Sequence, residues 1–165
     1  MKKIIFFTLL LIPFLNAEVK KEYYENGILK SEVIYKNNKR EGISKLYNTY
    51  GELSLTTVYK NDIRNGIETT YYSQGPIFMK TPYKNNKKDG IERSYLSDGR
   101  LLTEETYKNN ILHGMSKYYH NGKLQTELPY VNGKLEGTSK VYFENGNLAN
   151  ETVYKDDKII HNYSQ

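Results

Sequence analysis

A tyrosine, a glycine about four residues later, an aliphatic residue, a second tyrosine and a second glycine recur about every 24 positions along this chain of 165 residues. The first tyrosines are Tyr23, Tyr47, Tyr71, Tyr95, Tyr119 and Tyr142; the second are Tyr35, Tyr59, Tyr83, Tyr107, Tyr130 and Tyr154. A fixed period of this length is the mark of an array, in which each unit packs only on its neighbours. Six units follow: Val19–Gly42, Ile43–Gly66, Ile67–Gly90, Ile91–Gly114, Met115–Gly137 and Thr138–His161. The first four hold strict register. The fifth is one residue short; the loss is placed at its first turn, Asn121-Gly122, because loops absorb length changes, and the alternative takes Tyr118 as the repeat tyrosine with the loss in the strand before it. The sixth ends in His161 where a glycine stood before, as suits a terminal repeat.

Each unit carries two turn signals. The first is Asn26-Gly27 and its equivalents through Asn145-Gly146; the second is Asn37-Asn38 and its equivalents through Asp156-Asp157. Asn, Asp and Gly tolerate the positive φ that tight hairpins need. Between the turns lie segments rich in Tyr, Ile, Val, Thr and Leu, which read as strands. No window after the N-terminal segment keeps a helical period. The expected fold is all-β: an elongated antiparallel β-meander of about twelve strands, built from six two-stranded repeats over residues 18–165. Pro82 and Pro129, each one residue before a second tyrosine, should weaken or bulge the ladder locally.

Hydrophobic content is 38%, with 17 Tyr, no Trp and no Cys. Tyrosine rings pack while their hydroxyls reach water, so a thin, single-sheet body is expected. With two-residue hairpins at both turns, one face carries the first tyrosines with Ile43, Ile67 and Ile91. The other carries the second tyrosines with Leu29, Leu53, Ile77, Leu101, Leu124 and Leu148.

Residues 1–17, MKKIIFFTLLLIPFLNA, have a basic start, an apolar run and a final alanine. They read as a signal peptide helix cleaved after Ala17, which implies export to the periplasm or cell envelope. Without Lys2 and Lys3 the remainder holds 22 Lys and Arg against 19 Asp and Glu, a net charge of +3. Nucleic-acid binding wants a concentrated basic face, so that partner class is set aside.

No nucleophile elbow, phosphate loop or zinc-protease motif occurs, and His113, His120 and His161 lack metal-ligand spacing. No catalytic residue, metal site or cofactor is implied, and the chain reads as a non-enzyme. Glu32, Glu104, Glu127 and Glu151 share one repeat position with Thr56 and Lys80; they read as strand residues pairing with Lys and Arg across the sheet. The candidate binding surface is the row of Tyr23, Tyr47, Tyr71, Tyr95, Tyr119 and Tyr142.

The segments YYENGILKSEVIYKNNKREG, YLSDGRLLTEETYKNNILHG and YFENGNLANETVYKDDK closely resemble the bacterial variant of the MORN repeat. The resemblance covers residues 19 to about 161. It implies a scaffold that binds an unidentified protein partner. Some members of that group are labelled antitoxins, so an antitoxin- or immunity-like role is among the expectations. The alternatives are an envelope glycan and anionic phospholipid headgroups. Open sheet edges also allow edge-to-edge self-association.

Overall fold

A computed structural model describes residues 17–164. The expected leader, residues 1–17, lies outside them except for Ala17, which opens the first strand. The described residues form one antiparallel sheet of 17 strand segments, without a helix.

Pairing follows chain order. β1 (Ala17–Tyr23) pairs with β2 (Leu29–Lys36), β2 with β3 (Lys39–Arg40) and β4 (Gly42–Tyr47), and β4 with β5 (Leu53–Lys60). The pattern repeats until Lys158–Ser164 pairs with Leu148–Lys155. The expected meander is present. The segment count exceeds twelve because a bulge splits four long strands in two, as it separates β3 from β4. With each split pair taken as one, the ribbon has thirteen rungs.

That bulge recurs in every complete unit. Beyond Tyr35–Arg40 the register advances by two residues, with Ser31 opposite Leu46, and the Glu41 N–H donates to the Ile34 carbonyl at 2.9 Å. Asn65 donates to Val58 likewise, Asp89 to Pro82 and Glu136 to Pro129. The two prolines therefore sit at a bulge that all units share; they do not create it. The bulge needs the second glycine, whose φ ranges from +81° at Gly42 to +143° at Gly66. Such angles strain L side chains.

The second turns are two-residue hairpins with positive φ at both centres, as at Asn37 (52°) and Asn38 (59°). The first turns are not. The Gly27 N–H donates to the Tyr24 carbonyl at 2.9 Å and the Tyr24 N–H to Ile28 at 2.8 Å. This is a three-residue loop whose glycine sits in the left-handed region, followed by a one-residue bulge. Only the fifth unit has a two-residue first turn, Asn121-Gly122, with His120 opposite Lys123. Its missing residue is lost there, and Tyr119 keeps the position of Tyr95.

The extra bulge corrects the face assignment. Tyr47 lies opposite Leu53, and Tyr71 opposite Ile77. Directly opposed residues share a face, so Leu29, Leu53, Ile77, Leu101, Leu124 and Leu148 accompany the first tyrosines. The second tyrosines occupy the opposite face without that aliphatic set; Tyr59 stands across from Gly42.

No hydrophobic residue is buried among the described residues. The buried side chains are small or polar: Ser31, Thr57, Thr69, Thr81, Glu92, Ser94, Ser116 and Ser139. The sheet is held by its ladder and by cross-strand pairs, not by a core.

Candidate binding surface

The face of the first tyrosines is organised in four parallel rows, each running across the strands. Along the first-turn side run the tyrosines themselves, alternating with the aliphatic set: Tyr47 with Leu53, Tyr95 with Leu101, Tyr142 with Leu148. Tyr23 is 58% exposed on the edge strand β1. Tyr47, Tyr71, Tyr95, Tyr119 and Tyr142 are half-buried. The register brings all six expected residues onto one face.

Next comes a row of charges. Lys21 faces Glu32, Glu32 faces Lys45, Arg93 faces Glu104, Lys117 faces Glu127 and Lys140 faces Glu151. The ion-pair distances are 3.5, 3.3, 2.7, 3.2 and 3.4 Å in that order. The glutamate column thus pairs across the sheet as its composition implied. Two tyrosine hydroxyls join it: Tyr119 donates to Glu104 at 3.0 Å and Tyr142 to Glu127 at 2.8 Å.

These contacts tune the acids. Partial burial pushes the Glu104 carboxyl up, but hydrogen bonds from Arg93 and Tyr119 outweigh it and leave Glu104 below its ordinary value. Glu127 is lowered in the same balance, with Tyr142 and Lys117 as donors. The reciprocal effect falls on Tyr119, pushed up to about 12 by desolvation and by its bond to Glu104.

The third row is aliphatic. Ile43 stands opposite Val58, Ile67 opposite Pro82, and Met115 opposite Pro129. Its exposures are 49% at Ile43, 46% at Ile67, 41% at Ile91 and 37% at Met115. These residues are more exposed, as a fraction of their own surface, than the half-buried tyrosines. The signal was present in sequence, as an aliphatic residue or methionine directly after Gly42, Gly66, Gly90 and Gly114.

The fourth row borders the second turns and is made mainly of lysine. Lys36 faces Lys39, Lys84 faces Lys87 and Lys155 faces Lys158, with Lys60 and Lys108 between. Among the described residues none of these eight has an ion-pair partner; a ninth lysine, Lys134, meets Asp156 at 2.8 Å. An open cleft of about 600 Å³ lies here, lined by Lys84, Lys87, Lys108, Thr106 and His113 among others.

The opposite face is engaged internally. Arg40 lies over the Tyr59 ring at 4.1 Å, Arg64 over Tyr83 at 3.9 Å and Lys88 over Tyr107 at 4.7 Å. Each cation caps the ring of the next unit. Leu112 and Leu135, opposite Tyr107 and Tyr130 in register, hold the corresponding position in the fourth and fifth units and bring no cation to the next unit's ring. The Glu105 carboxylate accepts both Tyr107 at 3.0 Å and Tyr118 at 3.1 Å. Desolvation and that carboxylate push Tyr118 up to about 12.

His113, His120 and His161 are scattered, and among the described residues no group of three His, Asp or Glu side chains comes together to hold a metal.

The family model described as MORN repeat variant matches the chain at residues 19–37, 88–109, 115–132 and 135–156. The stretch between the first two matches keeps the same pairing, with β4 on β5 and Gly66–Tyr71 on Ile77–Lys84. That stretch holds the two units in which Thr56 and Lys80 replace glutamate. No curated protein matches the chain.

Proposed function

The chain carries MORN repeat variants, and we propose that it is a non-enzymatic docking protein whose tyrosine face receives another protein. Such repeats are generally associated with binding proteins or membrane lipids. The observation that carries the reading is the exposed row Ile43, Ile67, Ile91 and Met115, flanked by a largely ion-paired charge row on one side and lysines on the other. Apolar area at the centre with a polar surround is the anatomy of a protein interface.

The test is affinity capture followed by cross-linking. Ile67→Glu/Ile91→Glu should abolish retention of a partner that the wild-type chain retains. Val141→Lys, which alters a 39%-exposed residue of the opposite face, should retain it. Equal retention by all three chains, or by none, defeats the reading. In its immunity-like form the partner is a toxin, and only chains that retain it protect cells from it. Export is part of the proposal: N-terminal sequencing of the envelope fraction should begin at Glu18.

A second reading is favoured by the lysine row. Basic residues near an anionic leaflet contribute ~1 kcal/mol each, and eight unpaired lysines lie along one margin beside apolar side chains. On this reading the face lies on anionic phospholipid. Retention on phosphatidylserine vesicles should then fall as salt rises and in Lys84→Glu/Lys87→Glu/Lys108→Glu; salt-independent retention would remove it.

A further inference from the structure

The charge row on the tyrosine face alternates in sign except at its middle. Lys80 occupies the position of Glu32, Glu104, Glu127 and Glu151, and its direct partner across the sheet is Arg93. Two cations opposed in this way destabilise a sheet. On the other side of Lys80 stand Thr69 and then Thr56, so no carboxylate enters from the second unit either. Arg93 is drawn to Glu104 at 2.7 Å. Lys80 is exposed, and among the described residues it has no ion-pair or hydrogen-bond partner.

Tyr95 repeats the same departure. Tyr119 and Tyr142 each donate a hydroxyl to the glutamate fifteen residues earlier. Fifteen residues before Tyr95 stands Lys80, itself a donor. The two groups line one shallow cleft of about 460 Å³, with Pro76 and Ile77 as its apolar wall. Asp98 also lines it, but Arg100 holds that carboxylate at 2.7 Å. The cleft therefore presents an ammonium and a phenol hydroxyl with no acceptor assigned to either.

We propose that Lys80, with Tyr95 and the cation of Arg93 behind it, is a receptor for a carboxylate on a protein partner laid along this face. The neighbouring unit shows the bonding in place: the Glu104 carboxylate is shared between Arg93 and the Tyr119 hydroxyl. In the third unit Tyr95 keeps the hydroxyl, Thr69 stands where Arg93 stands beside Glu104, Lys80 supplies the cation, and the carboxylate comes from outside. An aspartate or glutamate side chain on an extended segment fits, because it reproduces a contact that this sheet already makes two strands away. The chain accepts a like-charge pair in its centre, and the partner's acid relieves it. This inference rests on the docking reading and narrows it to an acidic partner segment.

The probe is a fluorescein-labelled peptide of alternating Glu and Val, compared with its Gln and Val counterpart. Wild-type chain should prefer the glutamate peptide by tenfold or more. Lys80→Glu and Lys80→Met should each weaken it by at least tenfold. Lys36→Glu, in the lysine row, should leave it within twofold. Lys80→Glu should also raise the thermal midpoint, because it restores the alternation; this separates lost binding from lost folding. Equal affinity in Lys80→Glu, an equal loss in Lys36→Glu, or no preference for the acidic peptide overturns the site. If Lys80→Glu still captures the partner that Ile67→Glu/Ile91→Glu loses, the Lys80 receptor falls and the docking face stands. If neither wild-type nor variant captures a partner, the docking reading itself has failed.

Discussion

The carboxylate of Asp62 accepts the backbone N–H of Arg40, almost one full repeat earlier, at 2.9 Å. The Asp62 N–H donates back to the Arg40 carbonyl at 3.0 Å. The same reciprocal clamp joins Asn86 to Arg64, Asn110 to Lys88 and Asp157 to Leu135, each with a side-chain contact of 2.7 Å. One residue must satisfy two demands: a left-handed backbone, with φ of 67° at Asp62 and 65° at Asn86, and a short side-chain acceptor. Asn and Asp meet both. In the fifth unit Gly133 meets only the first; it keeps the backbone bond to Leu112 at 2.8 Å.

Asn86→Ala should therefore cost about 2 kcal/mol, as the sum of a lost hydrogen bond and a strained φ. Asn86→Gly should cost about 1 kcal/mol, because it loses only the bond. Gly133→Asn should stabilise the chain by ~0.5–1 kcal/mol, since it restores the acceptor and stiffens the unfolded chain. A Cβ at Gly133 meets Ile111 at 3.4 Å, an ordinary contact. Urea midpoints decide all three; a Gly133→Asn midpoint below wild type would show that the clamp adds nothing there.

The two glycine columns separate in the same assay. At Gly66 φ is +143° and an added Cβ would lie 2.8 Å from the Val58 Cβ. At Gly27 φ is +81° and nothing lies within 4 Å. Gly66→Ala combines backbone strain with a clash against a stiff side chain, and should cost about 3 kcal/mol or more. Gly27→Ala suffers the backbone alone and should cost about 1 kcal/mol. Equal shifts would mean that the bulge carries no packing requirement.

Much of the fold was legible because the repeat announces itself. The period, the all-β class, the one-residue loss at Asn121-Gly122 and the cross-sheet pairing of the glutamate column all follow from residue spacing. The face of Leu53 did not. It depends on whether Gly51 closes a two-residue or a three-residue loop, and both loop types accept glycine in the left-handed region. One added bulge residue, Ser54, then moves Leu53 to the other face. The tyrosine face was half legible. Tyr47 and its equivalents were found as a row, but the exposure of Ile43 and Ile67 was not, since an aliphatic strand residue ordinarily signals burial. In a sheet without a second layer, that inference fails.

The tyrosine row splits by its hydroxyls. Tyr119→Phe removes a 3.0 Å bond to Glu104, and should cost about 1 kcal/mol. Tyr95→Phe removes no bond to an acid and should leave the urea midpoint unchanged. A matching loss in both would show that the ring's polarity, not its acceptor, matters.

Acid should weaken the charge row. The hydrogen bond from Lys45 holds Glu32 below its ordinary value of 4.5. Glu104 and Glu127 are also lowered, their hydrogen bonds overcoming partial burial. A carboxyl lowered in the folded state takes up a proton less readily there than in the unfolded chain. Its stabilisation is complete above 4.5, is lost as pH falls through the lowered folded value, and is gone below it. The thermal midpoint should thus hold from about pH 7 to about pH 5 and fall toward about pH 3. Glu104→Gln/Glu127→Gln should start lower at neutral pH and fall less, so that the two curves converge in acid. Parallel curves would mean that these carboxylates contribute nothing through their charge, and that the row is an alignment without energy.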